Sequence, residues 1–251
     1  MKLLVTAVTM FVLINGAAVA EPADQCDLPA SLTDTEIDLA HVAAAVKDRR
    51  QLDISVIGTG SSVITGPDGV QFSYPARLSE ALKQKLSGIE VKVTAHVHSR
   101  ETTATMVAGF DKILAEDKPA LVIWQAGTAD ALNGVEPDEF RASLDAGVGK
   151  IQNANTDVIL MNMQYSPRTD SMLDVSTYAD IMKWVAQQRG VILFDRLAIM
   201  RYWNDAGTFD LYTATKKYDM ARHVHECIGR ALASQIVNAA HLDDDKTLTT
   251  H

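Results

Sequence analysis

Cysteine is scarce: the 251 residues contain only Cys26 and Cys227. Neither has a Cys-x-x-Cys neighbour, which excludes a thioredoxin-type redox motif. Two thiols alone also fall short of the four ligands of a structural zinc site, and no metal is expected. Basic runs and basic stripes are missing. With 23 Lys and Arg against 32 Asp and Glu, the formal net charge is −9, so nucleic acid is not an expected partner. Beyond residue 20 no apolar stretch is long enough to cross a bilayer. There is no internal repeat and no low-complexity segment. The glycine-containing stretch VIGTGSSVITG, 56–66, is not a dinucleotide-binding turn. Gly58 and Gly60 fit that pattern, but Val63 stands where the third glycine belongs. No cofactor is expected.

The chain begins MKLLVTAVTMFVLINGAAVA. A lysine, a short apolar stretch and the small-residue site Ala18-Val19-Ala20 make the pattern of a cleavable secretory signal over residues 1–20. The mature protein is then expected to be periplasmic or secreted, with no membrane anchor after cleavage. In an oxidising compartment Cys26 and Cys227 can form one disulfide, tying an N-terminal extension (21–50) to the C-terminal region. The alternative is two unrelated buried thiols. A single main domain over 51–240 and a polar tail, 241–251, complete the division.

Strand-like and helix-like stretches alternate. Thr33-Asp34-Thr35-Glu36 is a capping-box pattern that predicts a helix to about Lys47. Strands are predicted over 52–57, 89–95, the apolar run before Gly127, 157–162 and 191–194. Helices are predicted from Ser73-Tyr74-Pro75 to Gly88, over 102–116, from Pro137 to Asn153, over 177–189 and over 217–240. Five short strands separated by helices indicate an α/β fold with a mostly parallel sheet. Ligands of open α/β sheets bind beyond the carboxyl ends of the strands. Four segments become the places of interest: Gly58–Ser62, Ala95–Arg100, Gln125–Asp130 and Asn162–Arg168.

A glycine-serine turn after the first strand, the SYPARL helix, VIWQAGTADAL, NGVEPDEFRASLDAG and DVILMNMQYSPR follow in an order that resembles the SGNH/GDSL hydrolase superfamily across residues 52–240. The resemblance implies a flavodoxin-like three-layer sandwich. It also implies hydrolysis of esters, commonly acyl groups on carbohydrates or lipids. The family's first block is Gly-Asp-Ser with a serine nucleophile. Its second and third supply a glycine N–H and an asparagine side chain to the oxyanion. Its fourth is Asp-x-x-His, the base.

Carried over by position, the first block stays open. With Gly58 on the family glycine, Gly60 stands at the serine and Ser61 follows one residue late. With Gly60 there instead, Ser62 takes the nucleophile's place and Gly66 matches a downstream glycine. The second block, VHSRET, has no glycine; Ser99 or Arg100 stands there. The third is Gly127-Thr128-Ala129-Asp130, with alanine where the family has asparagine. Loss of such a donor costs about 10²–10³ in turnover in a serine hydrolase. The fourth is missing: KKYDMARHVHECIGRALA places Lys216 at the aspartate and Asp219 at the histidine. Asp38-Leu39-Ala40-His41 has the spacing but lies in the first helix, at the other end of the chain.

The candidate catalytic residues are therefore Ser61 or Ser62 and an Asp219–His223 pair, four apart on the last helix. The alternative for that pair is a surface salt bridge. His96 and His98 alternate at the end of the second strand and are the other candidate bases, against ordinary packing on a loop. Gly60, Arg100, Gly127, Thr128, Ala129, Asp130, Tyr165 and Arg168 are the cleft candidates, with Asp130 also explicable as the cap of the helix that follows it. Phe194, Tyr202 and Trp203 are expected to pack under the last helix. Two functions follow: an ester hydrolase with non-standard residues, or an inactive protein of the same fold that binds a glycan or acyl ligand.

Overall fold

The computed structural model describes residues 26–167, 171, 174–212 and 219–242. The segment expected to be a signal, Arg168, Lys216 and most of the polar tail lie outside them. Five strands form one sheet: β1 (Gln51–Gly58), β2 (Glu90–Val97), β3 (Leu121–Gln125), β4 (Asp157–Met161) and β5 (Ile192–Phe194). Every neighbouring pair is parallel, in the order β2-β1-β3-β4-β5. β1, β3, β4 and β5 are mostly buried on both faces, as a covered parallel sheet requires, whereas the edge strand β2 is largely half-buried or exposed; all five residues of β3 are inaccessible to solvent.

Helices cover both sides. α3 (Tyr74–Lys85) packs on β2 and on α9 (Asp219–Ala239), whereas α4 (Thr103–Asp117), α6 (Pro137–Asn153) and α7 (Val175–Arg189) form a contiguous layer. This is the three-layer α/β sandwich. Fully buried Trp124 meets Phe110 edge-on beneath α4, their ring centroids 4.8 Å apart. Gly147 on α6 lies so close to the Trp124 ring that a side chain there would collide with it.

The first helical region differs from the capping-box prediction. A single turn, α1 (Ala30–Thr33), precedes α2 (Ala40–Arg49). Thr35 Oγ1 instead accepts from the Ile37 N–H at 3.1 Å, a local turn that ends the competition with helix. The first turn of α2 is fixed by a distant partner, since the Asp157 carboxylate accepts the Val42 N–H at 2.9 Å. Two helices have no sequence forecast: α5 (Thr128–Asn133) and α8 (Arg196–Asp205). Phe194 and Trp203 are buried as expected, but Tyr202, on the outer side of α8, is 41% exposed.

Cys26 and Cys227 are bonded. The bridge fastens the segment before α1 to the middle of α9. Gln235 Nε2 reinforces the contact by donating to the Thr33 carbonyl at 3.1 Å.

Sheet order reverses direction at β1: the chain crosses from β1 to β2 on one side and then to β3 on the other. The crevice at the carboxyl ends of β1 and β3 is the topological switch point, where this architecture binds ligands.

Candidate active site

β1 ends at Gly58, and Gly60–Ser62 follow as one 3₁₀ turn. A Cβ on Gly58 would collide with the Ser62 hydroxyl, so glycine is what lets the turn fold back on the strand. The turn separates the two serines. Ser62 is 0% exposed, whereas Ser61 is half-buried.

Gln125, the last residue of β3, joins them. Its Oε1 is hydrogen-bonded to the Ser62 hydroxyl, and its Nε2 donates to Ser61 Oγ at 2.9 Å and to Thr59 Oγ1 at 3.3 Å. The Tyr74 hydroxyl donates to Ser62 Oγ at 3.3 Å. A directed chain results: Tyr74 to Ser62, Ser62 to the Gln125 carbonyl, and the Gln125 amide to Ser61. Burial raises the Tyr74 pKa, and the bond to Ser62 and nearby Arg196 only partly offset this, so the phenol stays a neutral donor.

Arg196 completes the group. It opens α8 and is 1% exposed. Its Nη2 donates to the Ser61 carbonyl at 3.1 Å and to Gln164 Oε1 at 3.4 Å, and its Nη1 to Ser61 Oγ at 3.5 Å. Its guanidinium carbon lies 5.8 Å from the centre of the Tyr74 ring. Burial pulls its pKa down to about 10. The neighbouring Asp195 is not its partner. Asp195 instead accepts from Ala198 N at 3.0 Å and from Asn162 Nδ2 at 2.7 Å, and Asn162 Oδ1 accepts the Leu197 N–H at 2.9 Å. These bonds clamp the start of α8 to the end of β4 and so aim Arg196 at Ser61.

His225 stands behind Tyr74. Its Nδ1 accepts the Tyr74 N–H at 2.9 Å, satisfying the start of α3 from α9. Burial, with the nearby Arg196 charge, lowers its pKa to about 3, so it is neutral in the folded protein. It holds a helix in place and does not touch either serine.

At the end of β3, Gly127 has φ +96° and is packed against Met163, so glycine is required there twice over. Ala129 is buried and offers no donor. Beside it, Thr128 Oγ1 is buried with no partner among the described residues. Asp130 is structural: its carboxylate accepts the N–H and hydroxyl of Thr103 at 2.9 and 2.8 Å, fixing the first turn of α4 rather than capping its own helix. Burial raises its pKa against the lowering effect of those bonds. Arg100 adopts φ +67°, the conformation that glycine takes most readily, at the loop where the family has a glycine. Ser99 lies against Gly60.

The remaining histidines are elsewhere. His223 and Asp219 are both exposed and no bond joins them. His96 is spent on Asp117, at 2.6 Å, and exposed His98 faces Glu101 at 3.5 Å. No described histidine hydrogen-bonds to Ser61 or Ser62, and no cluster of three metal-ligating residues occurs among the described residues. Tyr165 is buried, with the Arg201 guanidinium 5.2 Å from its ring centre. The site members that the sequence reading missed are Gln125, Tyr74, Arg196 and His225.

A family model described as non-GDSL lipase-like matches residues 25–242. Esterase TesA of Pseudomonas aeruginosa is 30% identical over 112 residues, 45% of this chain and 54% of the esterase. The chain thus aligns with about half the length of that curated relative. A crystal structure of TesA superposes with a TM-score of 0.60 at 21% identity, over 74% of this chain and 98% of that one. An acetyl-xylooligosaccharide esterase from Geobacillus stearothermophilus, Axe2, superposes with a TM-score of 0.59 at 17% identity, over 73% and 94%. These likenesses bear on the fold.

Proposed function

Because the chain belongs to the non-GDSL lipase-like family, within the SGNH/GDSL hydrolase superfamily, we propose that it is an exported ester hydrolase cleaving O-acyl groups from a carbohydrate or lipid. Ser61 is the attacking hydroxyl. The observation that carries this reading is the pair of donors aimed at Ser61 Oγ, the Gln125 amide at 2.9 Å and the buried Arg196 guanidinium at 3.5 Å. An amide and a cation on one hydroxyl oxygen favour its anion, which is a route to an activated nucleophile without an adjacent base.

In this scheme Ser61 gives its proton to water or hydroxide and its oxygen attacks the ester carbonyl carbon. The leaving alcohol takes a proton from water. A second water then hydrolyses the acyl-serine to the free acid. The backbone N–H groups of Gly60 and Ser61 are the oxyanion donors, since the Ser62 N–H is held by the Thr59 carbonyl and the Ala129 side chain offers none. The Thr128 hydroxyl, which follows β3 and has no partner among the described residues, is a further donor.

The second reading is a non-catalytic binder of a glycan or acyl ligand. It is favoured by the lack of any described histidine on either serine together with Ala129 at the oxyanion position. Turnover of p-nitrophenyl acetate by the mature protein separates the two. The hydrolase reading expects slow turnover that Ser61→Ala lowers by about 10²-fold or more and that His223→Ala leaves unchanged. A folded wild-type protein with no turnover, or a Ser61→Ala variant as active as wild type, assigns the cleft to binding.

A further inference from the structure

Arg196 is nearly inaccessible to solvent, yet no carboxylate lies within ion-pairing distance of it among the described residues. Its hydrogen-bond partners are all neutral: the Ser61 carbonyl and hydroxyl and the Gln164 side-chain oxygen. Its Nε has no partner among the described residues. A buried charge normally has a counter-ion, because desolvation of an unpaired ion is costly. The chain has carboxylates in excess, with a net charge of −9, and none of those among the described residues pairs with Arg196. The nearest acid in sequence, Asp195, is committed to Asn162 and Ala198. The other titratable groups beside the cation, Tyr74 and His225, stay neutral.

The cation lies one layer below the surface. Ser61 and Gln164, which it contacts, are both half-buried and lie at the ends of β1 and β4. A ligand oxygen that replaces Gln164 Oε1 at Nη2 gains a charged donor at once, and the Ser61 O–H is free to add a second. A carboxylate, with two acceptor oxygens, matches that pair of donors.

We propose that the ligand of this site carries a carboxylate, bound between Arg196 and Ser61 in the place of the missing counter-ion, and that this selects acidic sugar or acyl compounds over neutral ones. The inference rests on the crevice being the ligand site, not on turnover, so its test is a binding measurement.

Thermal unfolding of the mature protein is followed with acetate, succinate, D-glucuronate or D-glucose, with sodium chloride matched throughout. At ligand concentrations about tenfold above Kd, the carboxylates raise Tm by about 3 °C and D-glucose does not. Arg196→Met abolishes the shift while itself unfolding at or above the wild-type temperature, because it removes an unpaired buried charge. A carboxylate shift retained by Arg196→Met, an equal shift from D-glucose, or no shift with any carboxylate overturns the proposal. If Arg196→Met does not fold, Gln164→Met is used in its place. It frees Nη2 and is expected to enlarge the carboxylate shift; an unchanged or smaller shift counts against the site. Absence of ester turnover with a carboxylate shift present would remove the hydrolase reading alone.

Discussion

Reduction of the Cys26–Cys227 bridge is expected to cost about 5 kcal/mol of stability and about 10 °C in Tm. The bond closes a loop across a sequence separation of 201, among the longest this chain allows, and long loops lose the most entropy on cross-linking. The local packing points the same way. Cys227 is buried in α9, two residues after His225, and the bridge holds the N-terminal segment against that helix. Loosening it therefore reaches the site through His225 and Tyr74. Urea unfolding with and without a phosphine reductant, repeated on Cys26→Ala/Cys227→Ala, measures the effect. A loss below about 1 kcal/mol would mean that other contacts already fix the segment.

Acidification is expected to remove roughly 2–3 kcal/mol between pH 7 and 4.5 through His225 alone. The folded protein holds this imidazole neutral down to about pH 3, whereas the unfolded chain protonates it near 6.5. The unfolded state thus binds the extra proton across that window. The stability that His225 contributes is complete above pH 6.5 and declines as the pH falls toward 3. His225→Asn keeps an acceptor for the Tyr74 N–H and cannot titrate. Its stability should exceed that of wild type at pH 4.5 relative to their difference at pH 7. Parallel pH slopes for the two proteins would show that His225 is not the acid-sensitive group.

The fold was legible because its signals are local. Apolar runs such as LVIW and VIL are short, rich in β-branched residues and bounded by turn residues, which favours covered strands, and Pro75, Pro137 and Gly190 mark helix ends that the structure keeps. The site was half legible. Gly127 declared itself by ending an apolar run in a turn. Gln125 did not, although a polar side chain at the end of a fully buried strand was a usable cue. His225 was also recoverable: on α9 it shares a face with Ile228 and Leu232, at i+3 and i+7, whereas His223 points elsewhere. Arg196 was beyond reach. Beside Asp195 at a helix start it resembles a surface ion pair, and only the long-range bond from Asn162 to Asp195 shows that the pair does not form. The family's last block fails for a simpler reason: Lys216 stands at its aspartate and Asp219 at its histidine.

The central claim is that Ser61 is activated by fixed donors and not by a histidine. The pH dependence of p-nitrophenyl acetate turnover between pH 5.5 and 9.5, with the Ser61→Ala background subtracted, tests it most directly. With proton acceptance left to water and hydroxide, the rate climbs steadily through pH 9 with no inflection near 6.5. A sigmoid that levels off above a midpoint of about 6–7 would identify an imidazole base and contradict the account.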